Sequence, residues 1–159
     1  MKLSLFSDYS LRVLMFAALK DGAFRVDEVT AAYGISRNHL AKVVHNLSKL
    51  GYLDTQRGRG GGIRLARSAG EIPIGKLVRE TEGQPALVEC FDAATNTCPI
   101  NGSCMLKGAL AGAMNAFYTS LDCYTLHDFV HGPHRARMSR ILLTPQQKPA
   151  PKTGATENK

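Results

Sequence analysis

Apolar residues recur with helical period from residue 8 onward. In DYSLRVLMFAALK, Leu11, Leu14, Met15, Ala18 and Leu19 share one face, which predicts a helix over 8–20 capped by Ser7 or Asp8. Asp21-Gly22 ends it. DEVTAAY, 27–33, reads as a short helix with acids in its first turn, where the dipole favours them, and Gly34 suits its stop. Ser36 then serves as N-cap of a third helix, 37–50, whose apolar face is Leu40, Val43, Val44, Leu47 and Leu50. Two helices joined by a tight glycine turn form the helix-turn-helix pattern. The alternation in YLDTQ and IRLAR predicts two short strands, near 52–56 and 63–67, with the Gly-rich stretch GRGGG as the hairpin tip.

The polar face of the third helix carries Asn38, Lys42, His45 and Lys49 at spacings of four, three and four, with Arg37 and His39 flanking its first turn. An apolar back and long outward donors are what a helix reading the major groove needs. The hairpin adds Arg57, Arg59 and Arg64, so the pattern is a winged helix over 1–82. Its wing-tip glycines would let the backbone approach DNA, and Arg59 is the candidate for the minor groove. GRGGG lacks the Lys-Ser/Thr ending of a nucleotide-binding loop, and no helix follows it directly.

Further along, 73–82 reads as a short helix behind Pro73, and 83–104 as a cysteine-rich loop. A long helix over 104–121 carries Leu106, Leu110, Ala113, Phe117 and Leu121 on one face. It is rich in small residues (Gly108, Ala109, Ala111, Gly112, Ala113 and Ala116), which permit close approach of a second helix. The stretch 105–130 is therefore the candidate dimerisation region, with a short helix near 125–130. From 131, four prolines and many polar groups read as a mostly disordered basic tail, 131–159. No internal repeat is present. The fold class is mainly α with a small β-hairpin wing.

Charge sharpens this picture. The net charge is +7, and residues 36–67 hold seven Lys or Arg against the single acid Asp54, while 68–130 hold three bases against seven acids. A basic block that coincides with the predicted wing and its helix is an electrostatic footprint for a polyanion, here duplex DNA. No run of about 18 apolar residues occurs, so no membrane span is expected. Asp8 and Arg12 interrupt the N-terminal apolar stretch, so a signal peptide is not expected either, and a cytoplasmic setting follows. Disulfides are not expected there.

The four cysteines then need another role. Cys90, Cys98 and Cys104 occupy one loop, separated by seven and five residues. Zinc sites usually show paired C-x2-C units or spaced histidines, which are absent here. Three thiolates on a loop containing Gly, Pro and Asn suit an iron–sulfur cluster, and Cys104 opens the long helix, whose positive end favours a thiolate. Cys123 lies apart and reads as a small packed apolar residue. Zinc, or three unconnected thiols, remain alternatives on spacing alone. An electron carrier or iron–sulfur enzyme would have no need of a basic winged helix, and no nucleotide motif or paired catalytic carboxylates appear.

The stretches FSDYSLRVLMFAA, YGISRNHLAKVVHNLSKLGYL, RGRGGGIRLAR, ALVECF, TCPINGSCMLKGAL and LDCYTLHDFV resemble the NsrR repressors, a nitric-oxide-sensing branch of a superfamily of winged-helix Fe–S regulators that includes IscR. The resemblance covers most of residues 5–130. It implies a homodimer on an inverted-repeat operator, with one [4Fe-4S] cluster per subunit held by Cys90, Cys98 and Cys104. It further implies a remaining ligand from Asp8 of the other subunit, where the residue-level alternative is a helix cap. Nitric oxide would damage the cluster and release DNA. IscR-like members usually carry a histidine three residues after the last cysteine; Lys107 stands there, against the alternative [2Fe-2S] cluster. Sensing of cluster supply, iron or redox state is the alternative role.

Overall fold

The computed structural model describes residues 2–56, 58, 61–83 and 87–144. Its elements are α1 (Leu5–Lys20), α2 (Val26–Tyr33), α3 (Arg37–Lys49), β1 (Leu53–Gln56), β2 (Gly62–Leu65), α4 (Ile74–Glu82), α5 (Met105–Asp122), α6 (Leu126–Val130) and α7 (Arg135–Leu143). The order α1–α2–α3–β1–β2 is the winged helix-turn-helix that the periodicity predicts.

Helix α1 begins a turn earlier than expected. Neither Ser7 nor Asp8 caps it: Ser4 does, its hydroxyl accepting from the Ser7 N–H at 3.1 Å. Asp8 sits within the first turn instead. The buried apolar residues are Val13, Leu14, Phe16, Ala17 and Leu19, whereas Leu11, Met15 and Ala18 of the expected face are only half-buried. The reason is that α1 is covered from several sides, by α3, α4, α6, α7 and β2. A helix clad that way needs no single apolar stripe. For α3 the expectation holds: Leu40, Val43, Val44 and Leu47 are buried, Leu50 is half-buried at the C-cap, and Ser36 accepts from the His39 N–H.

The hairpin pairs Leu53 with Leu65, Asp54 with Arg64, Thr55 with Ile63 and Gln56 with Gly62. Phe24 adds a bridge on the other edge of β2, exchanging 2.9 Å hydrogen bonds with Ile63 in both directions. This gives Gly62 a structural duty. A Cβ there would stand 3.1 Å from both the Phe24 carbonyl and the Ala23 Cβ. Gly58, at φ 104°, turns the tip and accepts from the Gly61 N–H.

Helix α4 is the strut of the molecule. Leu77 and Val78 bury into the core. At its C-terminal end Thr81 accepts from the buried Ser7 hydroxyl at 2.8 Å, and Glu82 accepts from both the backbone N–H and the hydroxyl of Ser4. At its N-terminal end it clasps α5. Gly75 lies directly against Asp122, where an added Cβ would stand 2.8 Å from the Asp122 backbone nitrogen. Arg79 grips the Asp122 carboxylate with two bonds of 2.6 and 2.7 Å, and lies 4.8 Å from the Tyr118 ring centre. That hydrogen-bonded guanidinium holds the Asp122 carboxyl below the ordinary carboxylate range.

The expected disordered tail needs correction in its first part. Residues 135–143 form α7, whose Met138, Leu142 and Leu143 pack against the core beside α1 and α2. Tertiary contact overrides the polar composition that suggested disorder. The remainder, 145–159, lies outside the described residues.

Candidate nucleic-acid interface and cysteine loop

Arg37, Asn38, His39, Lys42, His45 and Lys49 are all exposed on α3, opposite its buried face. Arg37 forms a 2.8 Å ion pair with Asp27 at the start of α2, with both side chains largely in solvent. Such a pair contributes little to stability and is readily exchanged for a phosphate. The His39 and Tyr9 rings lie 6.2 Å apart. Arg64 is exposed on β2 beside Asp54 of the neighbouring strand. Arg57 and Arg59 lie outside the described residues.

Arg67 has a role that the sequence reading missed. The chain leaves β2 after Leu65, and Arg67 turns back onto the end of α3. It donates to the Gly51 carbonyl at 2.7 and 3.0 Å and to that of Leu50 at 3.4 Å, with its guanidinium 4.9 Å from the Tyr52 ring centre. It thereby satisfies carbonyls orphaned at the helix end, where the dipole favours a cation. Burial, together with the 2.6 Å bond that its hydroxyl donates to Glu80, holds the Tyr52 phenol far above its ordinary value.

The cysteine loop lies between α4 and α5. Cys90, Cys98 and Cys104 are free, half-buried thiols, and Cys104 is the N-cap of α5, with no capping bond from its side chain. Local bonds shape the loop. Glu89 accepts from the Thr97 hydroxyl and N–H at 2.6 Å, which keep its carboxyl below the ordinary range. Asp92 accepts from Thr95 and Ala94, and Asn96 from the Cys98 N–H. Lys107 donates to Asn101 at 2.6 Å. Cys90, Asn101 and Lys107 border a hollow of about 380 Å³.

The three thiols are not drawn together: among the described residues no three His, Cys, Asp or Glu side chains form a group able to hold a metal ion. The donor set nonetheless fits an iron–sulfur cluster, since all three thiols are unbonded on one loop. The bonds that shape the loop span at most eight residues, so gathering the thiols would rearrange local turns and leave the core untouched. Cys123 does not pack as a buried apolar residue; it is exposed at the C-cap of α5, its thiol 3.5 Å from the Thr119 carbonyl.

Asp8 is a half-exposed member of an ion pair with Arg12, one turn on, at 2.9 and 3.0 Å. The bond to Asp8 holds the Arg12 guanidinium above its ordinary value.

Helix α5 has no buried residue along its 18 positions. Phe117, Tyr118 and Leu121 rest on the core side, but Met105 is 90 % and Leu106 64 % exposed. Gly108, Ala109, Ala111, Gly112, Ala113 and Ala116 are exposed as well. No helix among the described residues is long and apolar enough to cross a membrane.

Comparison with known proteins places these features in context. The model of the Rrf2 family, described as iron-dependent transcriptional regulator, matches residues 3–132. The chain is 49% identical over 132 residues to the HTH-type transcriptional regulator NsrR of Bacillus subtilis, covering 82% of this chain and 90% of that one. It is 47% identical over 144 residues to the NsrR of Geobacillus kaustophilus, covering 89% and 97%. Among solved structures, the oxidized form of Staphylococcus aureus CymR superposes with a TM-score of 0.65 at 24% identity, over 84% of this chain and 98% of that one. T. potens IscR superposes with 0.64 at 22%, over 82% and 86%. At these identities the structures speak for the fold.

Proposed function

The chain belongs to the Rrf2 family of transcriptional regulators, and from that premise we propose that it is a nitric-oxide-sensing repressor whose DNA affinity depends on an iron–sulfur cluster. It is a DNA-binding regulator and not an enzyme, as its relatives are. The observation that carries the sensing role is the position of the three free thiols. They lie between α4, which is bonded to the start of α1, and α5, which exposes its small-residue face.

In this reading two copies pair through the small-residue face of α5, and their two-fold axis matches an inverted-repeat operator. Cys90, Cys98 and Cys104 hold a [4Fe-4S] cluster, and Asp8 of the other subunit completes its ligand set. When bound, the cluster supplies iron that nitric oxide can attack, most readily where oxygen replaces thiolate as ligand. To serve as that ligand, Asp8 exchanges its Arg12 partner. The start of α1 is thereby tied to the partner's cysteine loop. It is already bonded to Thr81 and Glu82 of α4, and α1 packs on α3. Freeing Asp8 loosens one anchor of the body that carries α3. A dimer reading two half-sites is sensitive to any change in their register.

Reading of the operator falls to α3. Replacing Asn38, Lys42 and His45 together by alanine leaves the buried face intact, so helix content and melting temperature should hold. Specific binding should fall by most of the ~4–10 kcal/mol that separates operator from random DNA. Gel shifts with operator and scrambled duplexes measure this, and undiminished discrimination would remove α3 from the interface. The sensing role is tested by titrating nitric oxide into the anaerobic, iron-loaded complex with a fluorescent operator. Visible absorbance and DNA anisotropy should fall together. Bleaching with the DNA still bound would favour a role for the iron other than nitric-oxide sensing.

A further inference from the structure

A cavity of about 780 Å³ lies away from both the α3 surface and the cysteine loop. It opens between the end of α1, the segment following β2, and the α6–α7 corner. Its lining brings Arg64, Arg67 and Arg135, with the imidazoles of His127 and His131, against one acid, Asp21. These groups come from four separate parts of the chain.

Their bonding state is informative. Arg67 spends its donors on the end of α3, yet its charge remains. Arg64 has no hydrogen-bond or ion-pair partner among the described residues. The Arg135 guanidinium makes one long bond, 3.4 Å, to the Val130 carbonyl among the described residues. Asp21 forms no ion pair with any of them among the described residues. The His127 ring, on α6, and the His131 ring, at its C-cap, stack face to face, 3.8 Å between centres and 19° from parallel, and both line the cavity. Two guanidiniums with idle donors, a third cation and two imidazoles around one hollow outnumber its single carboxylate, leaving a surplus of donors. Guanidinium forks match the oxygen geometry of a phosphate, and imidazole N–H groups supply further donors.

We propose that this cavity is an anion site that takes a phosphate group, distinct from the cysteine loop and from the α3 surface. The phosphate has two possible sources, the backbone of DNA flanking the operator or a free phosphate in solution. The free-phosphate form of the site stands whether or not the repressor reading holds.

The test uses the full-length, iron-loaded dimer and the imidazole NMR signals of its five histidines. Inorganic phosphate should shift His127 and His131 saturably, while chloride at equal ionic strength should not. Arg135→Gln removes a donor on an outer helix, and should weaken this binding by about tenfold, the loss expected for a charge-assisted hydrogen bond. A parallel arm compares the bare operator duplex with one extended by a helical turn on each side. If extension tightens binding and Arg135→Gln cancels only that gain, the DNA backbone is the source. If phosphate saturates the site and extension adds nothing, free phosphate is the source. If neither phosphate nor the extended duplex moves the His127 and His131 signals, or Arg135→Gln binds phosphate and DNA as the parent does, the proposal is overturned. Binding of the bare operator, followed throughout, reports separately on the repressor reading.

Discussion

Cys90→Ala, Cys98→Ala and Cys104→Ala are each expected to yield protein that retains no stable iron, whereas Cys123→Ala should purify with the parent's iron and sulfide content. The contrast follows from position. The first three thiols share one loop, are unbonded, and have only short-range bonds to reorganise. Cys123 stands exposed at the far end of the 18-residue α5, next to Asp122 in the α4 clasp. A cluster held by three thiolates and one oxygen has no spare strong ligand, so loss of any thiolate removes about a third of its sulfur anchoring. All three loop cysteines are outside the buried core, so the variants should fold. Asp8→Ala is expected to keep iron but to alter the visible spectrum and the rate of reaction with nitric oxide. Iron and sulfide analysis after anaerobic reconstitution decides the matter. Iron lost from Cys123→Ala alone would reverse the assignment, and an unchanged Asp8→Ala spectrum would leave Asp8 as no more than the partner of Arg12.

The winged-helix fold was largely legible because its signals are local. Ser36, the glycine turn at Gly34 and the 3.6-residue spacing of Leu40, Val43, Val44 and Leu47 lie within one short stretch, and each acts on its immediate neighbours. The start of α1 was less legible because Ser4 and Ser7 both suit a cap. Glu82, 78 residues away, bonds Ser4. The face that α1 buries is decided by how many elements surround it, which periodicity within the helix does not encode. Helix α7 was hidden by the flanking Pro133 and Pro145 and by its arginines; Met138 and Leu142 acquire their meaning only from α1 and α2. Arg67 reaches back to residues 50 and 51, a contact that no local pattern records. The i,i+4 spacing of Asp8 and Arg12 does signal their pair, so a ligand role for Asp8 must compete with a bond visible in sequence. The cysteine loop shows the reverse case. Three thiols in 15 residues mark a candidate ligand set in the sequence, but among the described residues they do not form a group able to hold a metal ion.

Removing the iron is expected to release the operator. In the proposed dimer, each half-site complex would depend on where the partner's α3 stands, and that position would be set through α1, α4 and α5. Thr81 and Glu82 hold the start of α1, and Arg79 with Gly75 fixes α4 to α5, the proposed dimer helix. The loop joining α4 to α5 carries the cysteines, so its conformation bears on both ends of this linkage. If register between half-sites is lost, much of the ~4–10 kcal/mol separating specific from random binding goes with it, while contact with phosphates remains. The most direct measurement is anisotropy of a labelled operator against one preparation, anaerobically, before and after iron is stripped by a chelator, at a single salt concentration. Iron-free protein should bind operator and scrambled DNA with similar, weak affinity, and reconstitution should restore the preference. Equal operator affinity with and without iron would contradict the account.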